Sequence, residues 1–402
     1  MNVLPFILLA VSTLILTLDA AAQNFVSRSF AAYSDNDVAY TTATRFNGAL
    51  DTLRMNIFYP VNDGSTSRPC IVWVHGGGFT GGNRNEMNEL AQTWAERGYV
   101  SVTISYRLGF YGAFPLDAPF AYDQAEVVRA CFRAVQDLRS ALRFLVYSRE
   151  RYRIDTARMI IGGGSAGAIT ALHAAYYDSA DSLPVALGAV GPVVRGLETF
   201  QRPPLGPIDG AAPPDGSALP SLRAVVNIFG AVTSLNILGG APFVPTFSYH
   251  QRNDRVVACG TEKGLWGLPL NVGANYPTLH GSCALQSEFE RRGIPAQLHK
   301  TLIYNGADHA VNDAPFVDSV AAVFCARILA TPTSVCSKTV LSEEGLRDYP
   351  ASVFDTRGNL ALTARDLGEL SLLPSGVYAL VADGTRPRVF CVQAGIVHFR
   401  KP

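Results

Sequence analysis

The chain has 402 residues, 48% of them hydrophobic and 16% charged, with no formal net charge. That apolar content can build a substantial core and excludes a disordered chain. The length suits one large domain plus a small one, and the lack of any basic run or stripe argues against nucleic acid as a partner.

The opening "MNVLPFILLAVSTLILTLDAAAQ" has an apolar run from Val3 to Leu18, then Ala20 and Ala22 in small-x-small spacing. It reads as a cleaved export signal over 1–22, although no Lys or Arg precedes the run. The run is shorter than the roughly 20 residues a membrane-spanning helix needs. From Asn24 to about Leu329, strand-like and helix-like patterns alternate. "CIVWVHGGGF" (Cys70–Phe79) is a continuous apolar strand ending in glycines, and "YVSVTISYR" (Tyr99–Arg107) is β-rich. Apolar residues from Val127 to Leu145 recur at three- and four-residue steps and predict a helix over Gln124–Val146. "ARMIIGG" predicts the next strand, and Ala166–Tyr177 an Ala-rich helix. Further strands are expected at Leu222–Val232, Pro242–His250 and Leu298–Gly306, with a helix at Cys283–Gly293 before the last. Continuous apolar strands separated by helices imply a mostly parallel sheet with helices on both faces, an α/β fold.

Two stretches read as insertions. Arg107–Asp123 is a loop rich in aromatics, and Arg202–Ser221 is a Pro- and Gly-rich surface excursion expected to be mobile. After Cys336, short β runs broken by turns predict a small all-β module. The expected organisation is a leader over 1–22, a catalytic domain over 23–333 and a β-rich domain over 334–402. An exported chain can form disulfides. The expected pairs are Cys259 with Cys283 and Cys325 with Cys336, while Cys70 and Cys131 read as core residues. No CxxC or His-rich spacing points to a metal, and no cofactor is expected.

Gly163-Gly164-Ser165-Ala166-Gly167 fits G-x-S-x-G between a predicted strand and a predicted helix. In such an elbow a strained turn lifts the serine above the carboxyl end of the sheet, and small flanking residues let strand and helix approach. Upstream, His75-Gly76-Gly77-Gly78 also ends a strand. A glycine run brings backbone N–H groups close to a developing oxyanion, which makes Gly77, Gly78 and Ala166 the expected donors. His75 reads as a brace for that loop. A serine needs a base, and in this architecture the acid and then the histidine follow it along the chain. His309, in "YNGADHAV", lies in the loop after the last predicted strand, where the base belongs. His173 reads as packed, and His250 as shaping its loop. The acid should follow the preceding strand, where "SYHQRNDRVV" supplies Asp254, with Asp308 and Asp313 as runners-up. Phe79, Phe110, Tyr111, Phe114 and Trp266 are candidates to line an acyl or aryl pocket, or else to pack the inserted loops.

These motifs carry a resemblance. "WVHGGGFTGGN", "SYRLGF", "GGGSAGA", "HQRNDRVV" and "GADHAV" occur in the order found in the α/β-hydrolase fold, and within it the carboxylesterase/lipase group with an HGGG oxyanion loop. The resemblance covers about Ser27 to Leu329. It implies Ser165 as nucleophile, His309 as base, Asp254 as acid and an acyl-enzyme mechanism. Relatives often have an acidic residue where this chain has Gly164. The expected partner is a small or polymeric ester. The C-terminal "VFDTRGN...LPSGVYALVADGTRPRVFCVQ" is similar to the sorting domain of type IX secretion cargo, which implies export by that machinery to the surface or medium; only "YPAS" stands where such domains open on Tyr-Pro-Asn-Pro. Two rival readings are a serine peptidase of the same fold and a catalytically silent adhesion module.

Overall fold

The computed structural model describes residues 25–177, 185–239 and 242–331 in full, and beyond them the backbone of five strands between 351 and 399. The chain divides into two compact units, with the boundary after Ala330. The larger unit holds an eight-stranded sheet. Its strands are β1 (Ala31–Thr44), β2 (Leu50–Val61), β3 (Arg68–Val74), β4 (Val100–Ile104), β5 (Ile154–Gly164), β6 (Leu222–Ile228), β7 (Thr246–Gln251) and β8 (His299–Tyr304). The order across the sheet is β1-β2-β4-β3-β5-β6-β7-β8. β2 runs antiparallel to both β1 and β4, and from β4 to β8 every neighbouring pair is parallel. This is the α/β-hydrolase arrangement. The long β1–β2 hairpin precedes every strand named from sequence.

The helices are α1 (Asn88–Ala95), α2 (Gln124–Tyr147), α3 (Ala166–Tyr176), α4 (Ser282–Arg291) and α5 (Ala314–Ala330). Two apolar clusters, one on each face of the sheet, form the core. One joins α2 and α3 to Val72, Val74, Val102 and Ile161; the other joins α1 and α5 to Ile71, Trp73, Ile160 and Val226. Alternate strand residues feed opposite faces, so β3, buried at all seven positions, reads as an unbroken apolar run once past Arg68.

α2 starts where the Asp123 side chain accepts from the Glu126 amide at 3.1 Å, and it is buried along most of its length, arginines included. Part of its cover comes from the Pro- and Gly-rich stretch expected to be a mobile excursion. Gln136 Nε2 donates to the carbonyls of Leu205 and Pro207, both at 2.7 Å, Arg139 pairs with Asp209 at 2.9 Å, and the Ala211 amide donates to Ser140 Oγ at 2.8 Å. That stretch is a tethered cover: buried polar groups of a helix must find partners, and here extended backbone carbonyls provide them. The strand expected over Leu222–Val232 stops at Ile228, because Phe229 turns the chain at φ 43°.

Cys259 and Cys283 are bonded, and Cys70 and Cys131 are buried free thiols. The expected Cys325–Cys336 pair is corrected. Cys325 is a free thiol, fully buried on the face of α5 that packs on the sheet, and its position in that core points it away from solvent. Cys336, the leader at 1–22 and the side chains of the C-terminal module lie outside the described residues. In that module the described strands are antiparallel neighbours in one five-stranded sheet.

Candidate active site

Ser165 stands between β5 and α3 with φ 54° and ψ −123°, a conformation few side-chain-bearing residues adopt. Its amide donates to the Ile228 carbonyl at 2.9 Å, and its carbonyl accepts the first helical bond, from the Ile169 amide at 2.9 Å. The sheet thus fixes the turn from one side and the helix from the other. The positive end of the α3 dipole lies directly behind the hydroxyl.

His309 reaches this point from the loop between β8 and α5. Its Nε2 lies 2.8 Å from Ser165 Oγ, and its Nδ1 lies 2.6 Å from Asp254 Oδ2. A carboxylate only accepts, so Nδ1 carries the ring proton and Nε2 is free to accept the serine proton. Asp254 follows β7 and is 1% exposed. Its Oδ1 accepts from the amides of Val256 (2.8 Å) and Val257 (3.1 Å). Burial alone would raise its pKa, but the neighbouring His250 and His309 and the Val256 amide outweigh that and hold it at about 2. The carboxylate on His309 Nδ1 is that of Asp254, not of Asp308 or Asp313: Asp308 is tied through its backbone amide to Gln251 Oε1, and the Asp313 side chain caps α5 through the Phe316 amide.

The glycine loop after β3 lies beside Ser165. A Cβ on Gly76 would stand 3.4 Å from that of Ser165. Gly77 and Gly78 both have positive φ, and a Cβ on Gly77 would fall 2.2 Å from the Gly81 carbonyl oxygen, so no larger residue fits that turn. The loop is braced from beneath. Tyr106 Oη contacts the carbonyls of His75 and Gly76 at 3.1 Å, and the buried His75 ring stacks on Tyr106 with centroids 4.4 Å apart. Burial keeps the His75 pKa low, as suits a neutral brace. Among the described residues, the amides of Gly77, Gly78 and Ala166 meet no protein acceptor. All three residues line one cavity with Ser165 and His309.

That cavity has a volume of about 470 Å³, and its walls are chiefly apolar. Of the aromatics named from sequence, only Phe79 lines it. Phe110 is buried edge-on to Tyr276, Tyr111 stacks on Phe200 with centroids 4.0 Å apart, Phe114 is half exposed, and Trp266 Nε1 donates to the Asp254 carbonyl. The walls missed from sequence include Val127 and Cys131 of α2, Ile169 of α3, Phe229, Leu265, Tyr276 and Leu279. Only the apolar stripe of α2 was a signal, and it reads equally as core. His173 is fully buried, donates from Nδ1 to the Ile169 carbonyl at 2.8 Å and meets Thr233 through Nε2; burial lowers its pKa to about 4.

Residues 55–231 match the family model described as BD-FAE. Over 83 residues the chain is 39% identical to phenmedipham hydrolase of Pseudarthrobacter oxydans, covering 20% of this chain and 17% of that protein. Over 128 residues it is 30% identical to venom carboxylesterase-6 of Apis mellifera, covering 32% of this chain and 21% of that protein. The matches therefore span about a fifth of the length of these relatives. Among solved structures, an esterase of the planctomycete Thermogutta terrifontis aligns over 74% of this chain and 95% of its own at 14% identity and a TM-score of 0.45. The strand order is that of the α/β-hydrolase fold, and the stretch over 55–231 is similar to the BD-FAE family, with carboxylesterases among the similar curated proteins.

Proposed function

We propose that this chain is a serine hydrolase of carboxylic esters. The observation that carries the reading is the run of contacts from Asp254 through His309 to Ser165, at 2.6 and 2.8 Å, beside three amides that meet no acceptor among the described residues. Ser165 Oγ attacks the ester carbonyl as His309 Nε2 takes its proton, and Asp254 stabilises the imidazolium. Negative charge on the carbonyl oxygen falls to the amides of Gly77, Gly78 and Ala166, each such donor lowering the barrier by about 2.7–4 kcal/mol. The imidazolium returns the proton to the departing alcohol. Water, activated by the same base, then frees the acid from Ser165. We infer export from the leader over 1–22 and from the C-terminal resemblance to secretion cargo.

The test is a panel of nitrophenyl esters, from acetyl to long acyl and aromatic, with dipeptide amides alongside, run on the chain and on Ser165→Ala. Ester turnover abolished by the substitution supports the reading. Preferential cleavage of the amides would favour a peptidase. Turnover that survives Ser165→Ala would overturn the mechanism.

A further inference from the structure

We propose that His250 is a positioning residue for the Asp254 carboxylate. In this view Asn227, Ser282 and His250 form a buried strut that holds the acid loop in register with the turn supporting Ser165 and His309. The proposal rests on the ester-hydrolase reading above.

Asn227, His250 and Ser282 are fully buried, and no step of the reaction uses them. Burying a polar group without a partner costs about 1–3 kcal/mol, so such a cluster is stable only when each member is satisfied. Here the hydrogen-bond directions follow from chemistry. The Val257 carbonyl, 2.7 Å from His250 Nε2, can only accept, so Nε2 carries the ring proton. His250 Nδ1 is then an acceptor, and the Ser282 hydroxyl, at 2.9 Å, donates to it. Asn227 Oδ1 accepts from the Gly230 amide at 2.9 Å, which leaves both Nδ2 protons to donate, one to Ser282 Oγ at 3.1 Å and one to Ser248 Oγ at 3.0 Å.

Both ends of this strut reach the site. At one end, His250 holds the carbonyl of Val257, whose amide binds Asp254 Oδ1. His250 Nε2 also faces Asp254 Oδ2 at 3.6 Å, too far for a hydrogen bond but close enough for its N–H dipole to favour the carboxylate. At the other end, Asn227 closes the turn at Phe229. The Phe229 ring packs on His309 with centroids 4.5 Å apart, and the adjoining Ile228 carbonyl receives the Ser165 amide. A single network therefore supports the mountings of acid, base and nucleophile. A misplacement of about 1 Å in such a group costs on the order of 100-fold in rate.

The experiment measures the rate at which a fluorophosphonate labels Ser165, kcat and KM for a soluble nitrophenyl ester, and the far-downfield proton resonance of the His309–Asp254 hydrogen bond. It uses the full chain and the variants His250→Leu, His250→Gln, Ser282→Ala and Ser282→Thr. The expected result is labelling and kcat slowed about 10- to 100-fold in His250→Leu and Ser282→Ala, a KM within about twofold, and a shifted or lost resonance. His250→Gln, which keeps an N–H donor near the Nε2 position, and Ser282→Thr, which keeps the hydroxyl, should recover to within about threefold. Wild-type labelling and an unmoved resonance in folded His250→Leu would overturn the proposal, as would His250→Gln failing as badly as His250→Leu. Should His250→Leu not fold, the serine pair decides: slowing in Ser282→Ala alone supports the strut, and no slowing in either overturns it. A wild-type chain that does not take the label would overturn the hydrolase reading itself, and the strut with it.

Discussion

A Cβ added to Gly167 would lie 2.0 Å from the carbonyl oxygen of Val74 and 2.6 Å from that of His75. Helix α3 thus rests, backbone to backbone, on the end of β3, where the glycine loop begins. Gly164, on the other side of Ser165, has more room: the nearest atom to a Cβ there would be Phe229 Cε2, at 3.4 Å. Gly167→Ala should therefore destabilise the chain by about 3 kcal/mol, the upper end of overpacking costs, because backbone cannot move aside as a side chain can. Gly164→Ala should stay within about 1 kcal/mol of wild type and keep its ester turnover. Urea unfolding of the two variants checks both.

The strained turn at Ser165 offers a separate comparison. Ser165→Ala and Ser165→Gly both remove the hydroxyl, but only glycine relaxes a residue at φ 54° and ψ −123°. Strain of this kind costs about 1–3 kcal/mol, partly offset by the added freedom of glycine in the unfolded chain. Ser165→Gly should be more stable than Ser165→Ala by about 1 kcal/mol, with both inactive. Equal denaturation midpoints would show that the strain stored in the turn does not exceed the freedom glycine adds to the unfolded chain.

Asp254→Asn tests the acid directly. An amide can present N–H to His309 Nδ1 and so favour the wrong imidazole tautomer, and kcat should fall about 10,000-fold with KM nearly unchanged. The variant also carries a pH signature. The folded Asp254 pKa of about 2 lies below its ordinary value of 3.8. A depressed carboxylate contributes stability that is fully present above the unfolded pKa and is lost as pH falls through the folded one. The wild type should therefore lose more unfolding free energy than Asp254→Asn between about pH 4 and pH 2. Parallel stability curves over that window would contradict the assignment.

The Cys259–Cys283 bond closes a loop that carries Gly264, Leu265, Tyr276, Pro277 and Leu279, all walls of the cavity. With a sequence separation of 24, the chain-entropy model gives about 3.5 kcal/mol of stabilisation. Replacing both cysteines by alanine, or adding a reductant, should lower the melting temperature by several degrees. It should also raise KM more than it lowers kcat, because the wall loosens while the Ser165–His309 contact is made by other segments. Calorimetry with steady-state kinetics measures both effects.

Much of the sheet was legible in the chain because the inner stretches of β3, β5 and β6, at Ile71–Val74, Met159–Ile161 and Ala224–Val226, are buried on both faces and spell continuous apolar runs. The β1–β2 hairpin was not, since one half of it is exposed and its pattern is mixed. The Pro-rich stretch at 202–221 looked loose because it has no periodicity; its order comes from hydrogen bonds to α2, which no local pattern records. Cys325 looked pairable because Cys336 lies near it in sequence, but helix phase turns its thiol into the core.

Ser165 and the glycine loop could be read from sequence because their chemistry demands local backbone shapes, and those shapes demand small residues at fixed spacing. His309 and Asp254 could be nominated by chain order alone. Only the tertiary structure brought them to 2.8 and 2.6 Å, set Asp254 rather than Asp308 or Asp313 against the imidazole, and assembled the cavity wall. The physical reason is that a turn is specified by its own few residues, whereas a contact across 144 positions in the chain exists only once the sheet has set the separation of its strands.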